Sequence, residues 1–282
     1  MTLQEFKEAM QLLAHMPLLW VPGVVGGIIG AVLWISFNLA GTFFTGRFLV
    51  IAGLLLIFFI TGLITMVKSN SGDVRTMVSG GVHYYFRVLL PQLVIIFGIV
   101  LIFALLMVTM TFAGVSEAAD VNFMILLAIV IMIPTLLLTF FFDMAAVYED
   151  RKVFDSIKRS IALVATHTGE VIAYILVSIS VIFGITLGLM IVWEAILYDN
   201  LEPITQYNVT QIQSFTPGQL VAMIGPGGMW VTAVIIFFGV ALLIPILYTY
   251  KACFFKKLVS TPISLQQMTS GEYDSKGRWY KY

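Results

Sequence analysis

Few residues in this sequence are placed to do chemistry, and Asp143 is the first of them. It follows Phe140, Phe141 and Phe142 near the end of a long apolar run. A carboxylate inside such a run can hold a proton, a cation or the amine of a lipid head group. It can equally snorkel to the interface and pair with a cation, for which Lys158, Arg159 and Lys256 are the candidates. Glu170 opens the next apolar run, where a carboxylate complements the positive end of a helix. Glu194 closes that run. His15, His83 and His167 stand on separate segments, with no H-x-x-x-H or E-x-x-H spacing, so no metal site is expected. There is no P-loop, G-x-S-x-G, H-E-x-x-H or C-x-x-C pattern. Cys253 is the single cysteine, which excludes an intrachain disulfide. No cofactor is expected, and the chain does not read as an enzyme.

The composition explains this poverty. Of 282 residues, 60% are hydrophobic and only 11% charged, against about 25% charged in soluble domains. So few charges cannot cover a water-facing surface, which excludes a soluble enzyme and a disordered chain. Lys+Arg and Asp+Glu are 15 each, so no net positive charge draws the chain to nucleic acid. What remains is an all-α, polytopic membrane protein.

A span needs about 20 mainly apolar residues. Runs at 18–41, 48–67, 89–114, 122–147, 170–195 and 228–250 predict six transmembrane helices. They are continuously apolar and too long for the alternating strands of a barrel. Arg47, beside Gly41 and Gly46, marks a tight turn between the first two. All Lys and Arg residues except Arg47 fall on one side of this arrangement, which places both termini in the cytoplasm of a multi-pass cell-membrane protein. The acids divide less sharply, so the inner side is net positive and the outer side net negative. The polar N-terminus, MTLQEFKEAM, reads as an amphipathic segment rather than a cleaved signal peptide.

Three outward-going spans are each preceded by an amphipathic stretch. Leu3, Phe6, Met10 and Leu13 precede the first. Val74, Met77, Val78, Gly81, Val82, Tyr85, Phe86 and Leu89 precede the third. Val153, Ile157, Ile161 and Val164 precede the fifth. Each stretch meets a breaker, namely Pro17, Pro91 and Gly169, at nearly equal intervals. The expected architecture is therefore three hairpins, each led by a cytoplasmic interfacial helix that sets its cations against anionic head groups. The hairpin units run over about 1–70, 71–148 and 149–250, forming one membrane domain over 1–250. Residues 251–282 are expected to form a basic, aromatic cytoplasmic tail.

The stretch from Phe142 to Gly184, FDMAAVYEDRKVFDSIKRSIALVATHTGEVIAYILVSISVIFG, carries a recurring pattern. An acidic pair (Glu149, Asp150) ends one span, a Ser156-Ile157-Lys158-Arg159-Ser160 helix follows with Leu163, and a new span begins. With the N-terminal LLAHMPLLWVPG, this resembles a loosely related group of six-span membrane families. They include several uncharacterised archaeal families and the membrane domain attached to some glycerophosphodiester phosphodiesterases. The resemblance implies a fold and no chemistry. The soluble phosphodiesterase domain of some relatives is not in this sequence, so its activity is not carried over.

Small residues supply the remaining signals. Gly23, Gly26, Gly27 and Gly30 in the first span, and Ser180, Gly184 and Gly188 in the fifth, let helix backbones approach closely. Both ladders are expected to pack within the chain, with oligomer contact as the alternative. Gly225-Pro226-Gly227-Gly228 should break the chain before the last span, and Pro134 and Pro245 should kink their helices. Asn208-Val209-Thr210 is a glycosylation sequon on the expected outer side. The leading functional expectation is a non-catalytic scaffold or accessory subunit that binds membrane lipid, a second copy or another membrane protein. A small-solute or lipid transporter is the alternative, needing a polar cavity at Asp143 beyond Asn38, Thr135 and Thr139. An intramembrane lipid-modifying enzyme comes last, for want of a base or nucleophile.

Overall fold

Every backbone polar group inside a bilayer must find its partner within the protein, so apolar runs of this length fold as helices. The computed structural model describes residues 2–112, 117–208, 214–260, 271–273 and 279–281. The chain is helical, and among the described residues five helices are long and apolar enough to cross a membrane.

Helix α1 (Thr2–His15) leads through a 3-10 turn at Pro17–Trp20 into α2 (Val21–Ser69). At about 1.5 Å per residue, 49 residues would reach far beyond a bilayer core about 30 Å thick. Gly41 interrupts α2 with φ 76° and ψ 179°, a conformation open to glycine because it lacks a Cβ. A Cβ built on Gly26 would lie 3.5 Å from Leu56, and these two residues stand equally far from Gly41 in the chain. Asn70, with φ 51°, ends α2 in a left-handed cap while Ser71 N–H donates back to the Met66 carbonyl.

Helix α3 (Val74–Phe112) then runs unbroken through Pro91. The expected break there is absent. A proline removes one backbone donor, which membrane helices tolerate, so the amphipathic stretch and the span form one rod. The wide apolar face of that stretch divides. Met77, Gly81 and Leu89 turn inward, while Val74, Val78, Val82 and Phe86 turn outward.

Helices α4 (Glu117–Leu138) and α5 (Phe142–Tyr148) are separated by a break over 139–141. Helix α6 (Val153–Thr166) gives way at His167 to α7 (Thr168–Ile196). A short helix α8 (Tyr198–Leu201) and a 3-10 turn at Glu202–Gln206 follow. Helix α9 (Pro217–Ser260) bends at Gly225, where φ is 65°. Residues 251–260, assigned to the tail from the sequence, are instead the end of α9. Ala252, Cys253, Phe254, Phe255 and Leu258 there are buried. Two short strands, β1 (Gly271–Tyr273) and β2 (Trp279–Lys281), pair antiparallel beyond it.

The core lies toward one end of the molecule. Leu63, Ile64 and Met66 of α2, Met144–Val147 of α5, Leu163 and Val164 of α6, and Tyr250, Ala252–Phe255 and Leu258 of α9 meet there. Helix α7 buries Val171 and Tyr174 there, both in its first turns, and packs the half-buried Ile175, Val177, Val181 and Ile185 against the core. The α2 glycines make a close crossing with α9. A Cβ on Gly23 would lie 2.3 Å from the Ala241 carbonyl oxygen, and one on Gly27 would lie 2.6 Å from that of Phe237. Gly30 faces Ile236 and Val240 across the same crossing.

Candidate functional site

The break between α4 and α5 builds the site. Phe140 N–H and Phe142 N–H bond three residues back, to Leu137 and Thr139, which tightens the turn. Phe141 N–H donates to Ser160 Oγ at 2.9 Å, and Ser160 Oγ–H donates to the Leu138 carbonyl at 2.8 Å. A buried serine of α6 thus satisfies both backbone groups freed by the break. The break starts a new helix at Phe142 and turns the next residue, Asp143, inward.

Asp143 meets Lys251 of α9. The ammonium donates to Oδ1 and Oδ2 at 2.8 Å each, and the Met144 N–H adds a third bond to Oδ1. The two side chains keep only 6% and 10% of their exposure, so the pair is buried on both sides. The Lys251 Nζ also stands 4.3 Å from the centre of the Phe140 ring. Removing ions from water is costly, and a short charge-assisted contact such as this one is what offsets that cost. The Lys158, Arg159 and Lys256 partners expected from sequence are not used. Arg159 bonds Glu149 at 2.8 Å instead, and Lys158 is exposed.

Two half-open cavities flank the pair. One, of about 410 Å³, is lined by Ile57 and Ile60 of α2, by Val88, Gln92, Ile95, Ile96 and Ile99 of α3, and by Thr139 and Asp143. The other, of about 300 Å³, lies between α7 and α9 and is lined by Tyr174, Ile175, Ser178, Ile179, Ile182 and Leu247. Phe140, Tyr248 and Lys251 border both, and so form the wall between them. Both sizes fall at the small end of ligand pockets. Below this site Tyr174 stacks on Tyr250 and Phe254, with ring centres 4.6 and 4.7 Å apart.

The same end of the molecule holds three more sets of ion pairs. Lys257 pairs with the buried Glu5 and ties α9 to α1. Glu149 takes both Arg151 and Arg159. Asp150, at φ 53°, accepts from Tyr84 Oη at 2.7 Å and pairs with Arg87 at 3.1 Å and Lys68 at 3.6 Å. The Tyr84 hydroxyl, aided by the charges of Lys68 and Arg87, holds the Asp150 carboxyl below the usual carboxylate range. Lys68 also donates to the Val147 carbonyl at 2.7 Å, joining α2 to the end of α5.

Other residues singled out by sequence are dispersed. Gly23, Gly26 and Gly30 pack on α9, but nothing lies within 4 Å of a Cβ at Gly184 or Gly188, and Ser180 is exposed. Among the described residues, the α7 ladder therefore has no helix packed closely against Gly184 or Gly188. Asn38 and Thr135 bond backbone carbonyls of their own helices, Thr139 bonds the Thr135 carbonyl of α4, and of the three Thr139 lines the larger cavity. Glu170 and Glu194 are exposed. His15, His83 and His167 stay apart, and among the described residues no three His, Cys, Asp or Glu side chains gather as a metal set. Asn208 is exposed, while Val209 and Thr210 of its sequon lie outside the described residues.

Lys251 is the residue that sequence reading missed. It stands just after the last apolar run and resembles a terminal cation. The available signal was Ala252-Cys253-Phe254-Phe255, which continues the apolar run beyond it.

The model of the family described as "Domain of unknown function (DUF7847)" matches residues 1–258. The chain belongs to this family. Its match ends at Leu258, the last buried residue of α9, so the family unit includes the helix end that carries Lys251. No curated protein and no solved structure matches the chain.

Proposed function

We propose that this protein is a non-catalytic, lipid-binding membrane protein, acting as a scaffold or accessory subunit. The observation that carries the reading is the 410 Å³ cavity, lined along α2 and α3 by apolar side chains and Gln92, and bordered by Asp143 and Lys251. Such a lining offers an apolar chain a place beside a charged head group. In this reading the chain crosses a cell membrane six times, α2 counting as two spans that turn at Gly41, with kinship to the six-span families its motifs resemble. Both termini are cytoplasmic, since the cations cluster at that end. Helix α1, the start of α3 and α6 lie at the cytoplasmic interface as three repeated units. Lys7, Arg75, Lys152 and Lys158 are all exposed there and would meet anionic head groups. A second copy or another membrane protein would pack against α7.

A transporter is the second reading, favoured by the two cavities that meet at the Phe140–Tyr248–Lys251 wall. Purification of the full chain in mild detergent, with extraction of bound lipid, separates these readings when joined to liposome reconstitution. Stoichiometric bound lipid without lipid scrambling or solute uptake supports the scaffold. Protein-dependent scrambling or uptake supports the transporter and overturns the scaffold. Absence of any bound or bindable lipid overturns the lipid-binding reading.

A further inference from the structure

The two cavities and the ion pair between them have the shape of one ligand. The larger cavity follows α3 from Val88 to Ile99, a rise of about 16 Å at 1.5 Å per residue. The smaller follows α7 from Tyr174 to Ile182, a rise of about 12 Å. Both therefore run along helix axes, and each is close to the thickness of one leaflet, about 15 Å. Lys251 lies at the same end of both, since it is the last residue of α9 to border either cavity and Asp143 closes the larger one beside it.

The charges specify the head group. An ammonium has three donors, and Lys251 gives two of them to Asp143. Asp143 accepts these two and the Met144 N–H, which leaves part of its four-site capacity open. A head group carrying only a negative charge would draw Lys251 from Asp143 and leave a buried carboxylate without its cation. A head group with one phosphate and one protonated amine adds an acceptor for Lys251 and a donor for Asp143. The local charge stays balanced.

We propose that the Asp143–Lys251 pair binds a two-chain, zwitterionic phospholipid with a primary amine. Its phosphate accepts from Lys251, its ammonium donates to Asp143, and its two acyl chains straddle the Phe140–Tyr248 wall, one in each cavity. This rests on the lipid-binding reading above and names the ligand class of that site.

The test is native mass spectrometry of the full chain in detergent, titrated with four defined lipids. These are dioleoyl-phosphatidylethanolamine, the phosphatidylglycerol and phosphatidylcholine of the same chains, and the one-chain lysophosphatidylethanolamine. Phosphatidylethanolamine should bind about tenfold more tightly than each of the others, since each lacks one of the matched features. Ser178→Phe, which fills the smaller cavity away from the charges, should reduce two-chain binding to the one-chain value and leave lysophosphatidylethanolamine unchanged. Ile95→Trp should do the same from the larger cavity, and size-exclusion chromatography selects whichever variant remains folded. Equal or tighter binding of phosphatidylglycerol or phosphatidylcholine overturns the head-group assignment. Equal binding of one-chain and two-chain lipid overturns the paired-cavity assignment. Both results leave lipid binding itself standing, whereas failure of all four lipids to bind rejects the underlying reading.

Discussion

Helices α2 and α7 carry small residues at the same four-residue spacing, and their surroundings are opposite. Gly23, Gly27 and Gly30 touch α9 so closely that a methyl group would meet backbone or side-chain atoms. Gly184 and Gly188 look onto open space. The contrast extends to the two ends of the molecule. One end has the buried core, the Asp143–Lys251 pair and the Asp150 network. Along the C-terminal part of α7, and along much of α3 and α4, large apolar side chains such as Leu101, Leu105, Ile129, Phe183 and Ile191 are exposed. Spacing records a capacity for close approach. A neighbouring helix turns that capacity into a contact.

The contrast can be tested from its strongest element downward. Lys251→Met leaves Asp143 buried without its cation and should lower unfolding stability by about 3–5 kcal/mol. The double variant Asp143→Leu with Lys251→Met should recover most of that loss. Thermal unfolding in detergent measures both, and a Lys251→Met protein as stable as the parent would refute the buried pair.

The ladders come next. Gly23→Ala should cost about 1–3 kcal/mol, because its Cβ would overlap the Ala241 carbonyl and one backbone must move. Gly184→Ala has open space and exchanges glycine for a better helix former, so it should be neutral or gain up to about 1 kcal/mol. Equal melting shifts for the two would erase the distinction between the ladders.

The smallest effect belongs to the solvent-facing network at the packed end. The folded-state pKa of Asp150 is lowered, so its contribution is present above about pH 4 and lost as pH falls through the lowered value. With its side chain 55% exposed, solvent screening keeps that contribution below about 1 kcal/mol. Tyr84→Phe should destabilise the protein slightly near pH 6, and the difference should close in acid. A Tyr84→Phe deficit that grows as pH falls would contradict the assigned hydrogen bond.

The legible parts of the fold were those where one residue type carries the geometry. Gly41 and Gly225 stand in the glycine-marked turns and adopt positive φ. Pro91 misled, since a missing donor does not end a helix whose neighbours hold it. The break over 139–141 carried no glycine and lay beyond Pro134, the residue that drew attention. Its partner, Ser160, is a fully buried serine whose burial contradicts its polarity until the hydrogen bonds to Phe141 and Leu138 are seen.

The sequence alone determined that this is a helical protein with membrane-spanning runs, because apolar length and internal backbone bonding leave few alternatives. It also marked Asp143 as unusual, because a carboxylate in an apolar run is costly wherever it ends. The tertiary structure alone decided which cation meets Asp143. By sequence Lys158, Arg159 and Lys256 were all candidates, but a buried charge is satisfied only by a donor placed within hydrogen-bond reach. Helix α9 brings Lys251 there across 108 residues of chain, and no local pattern encodes that approach.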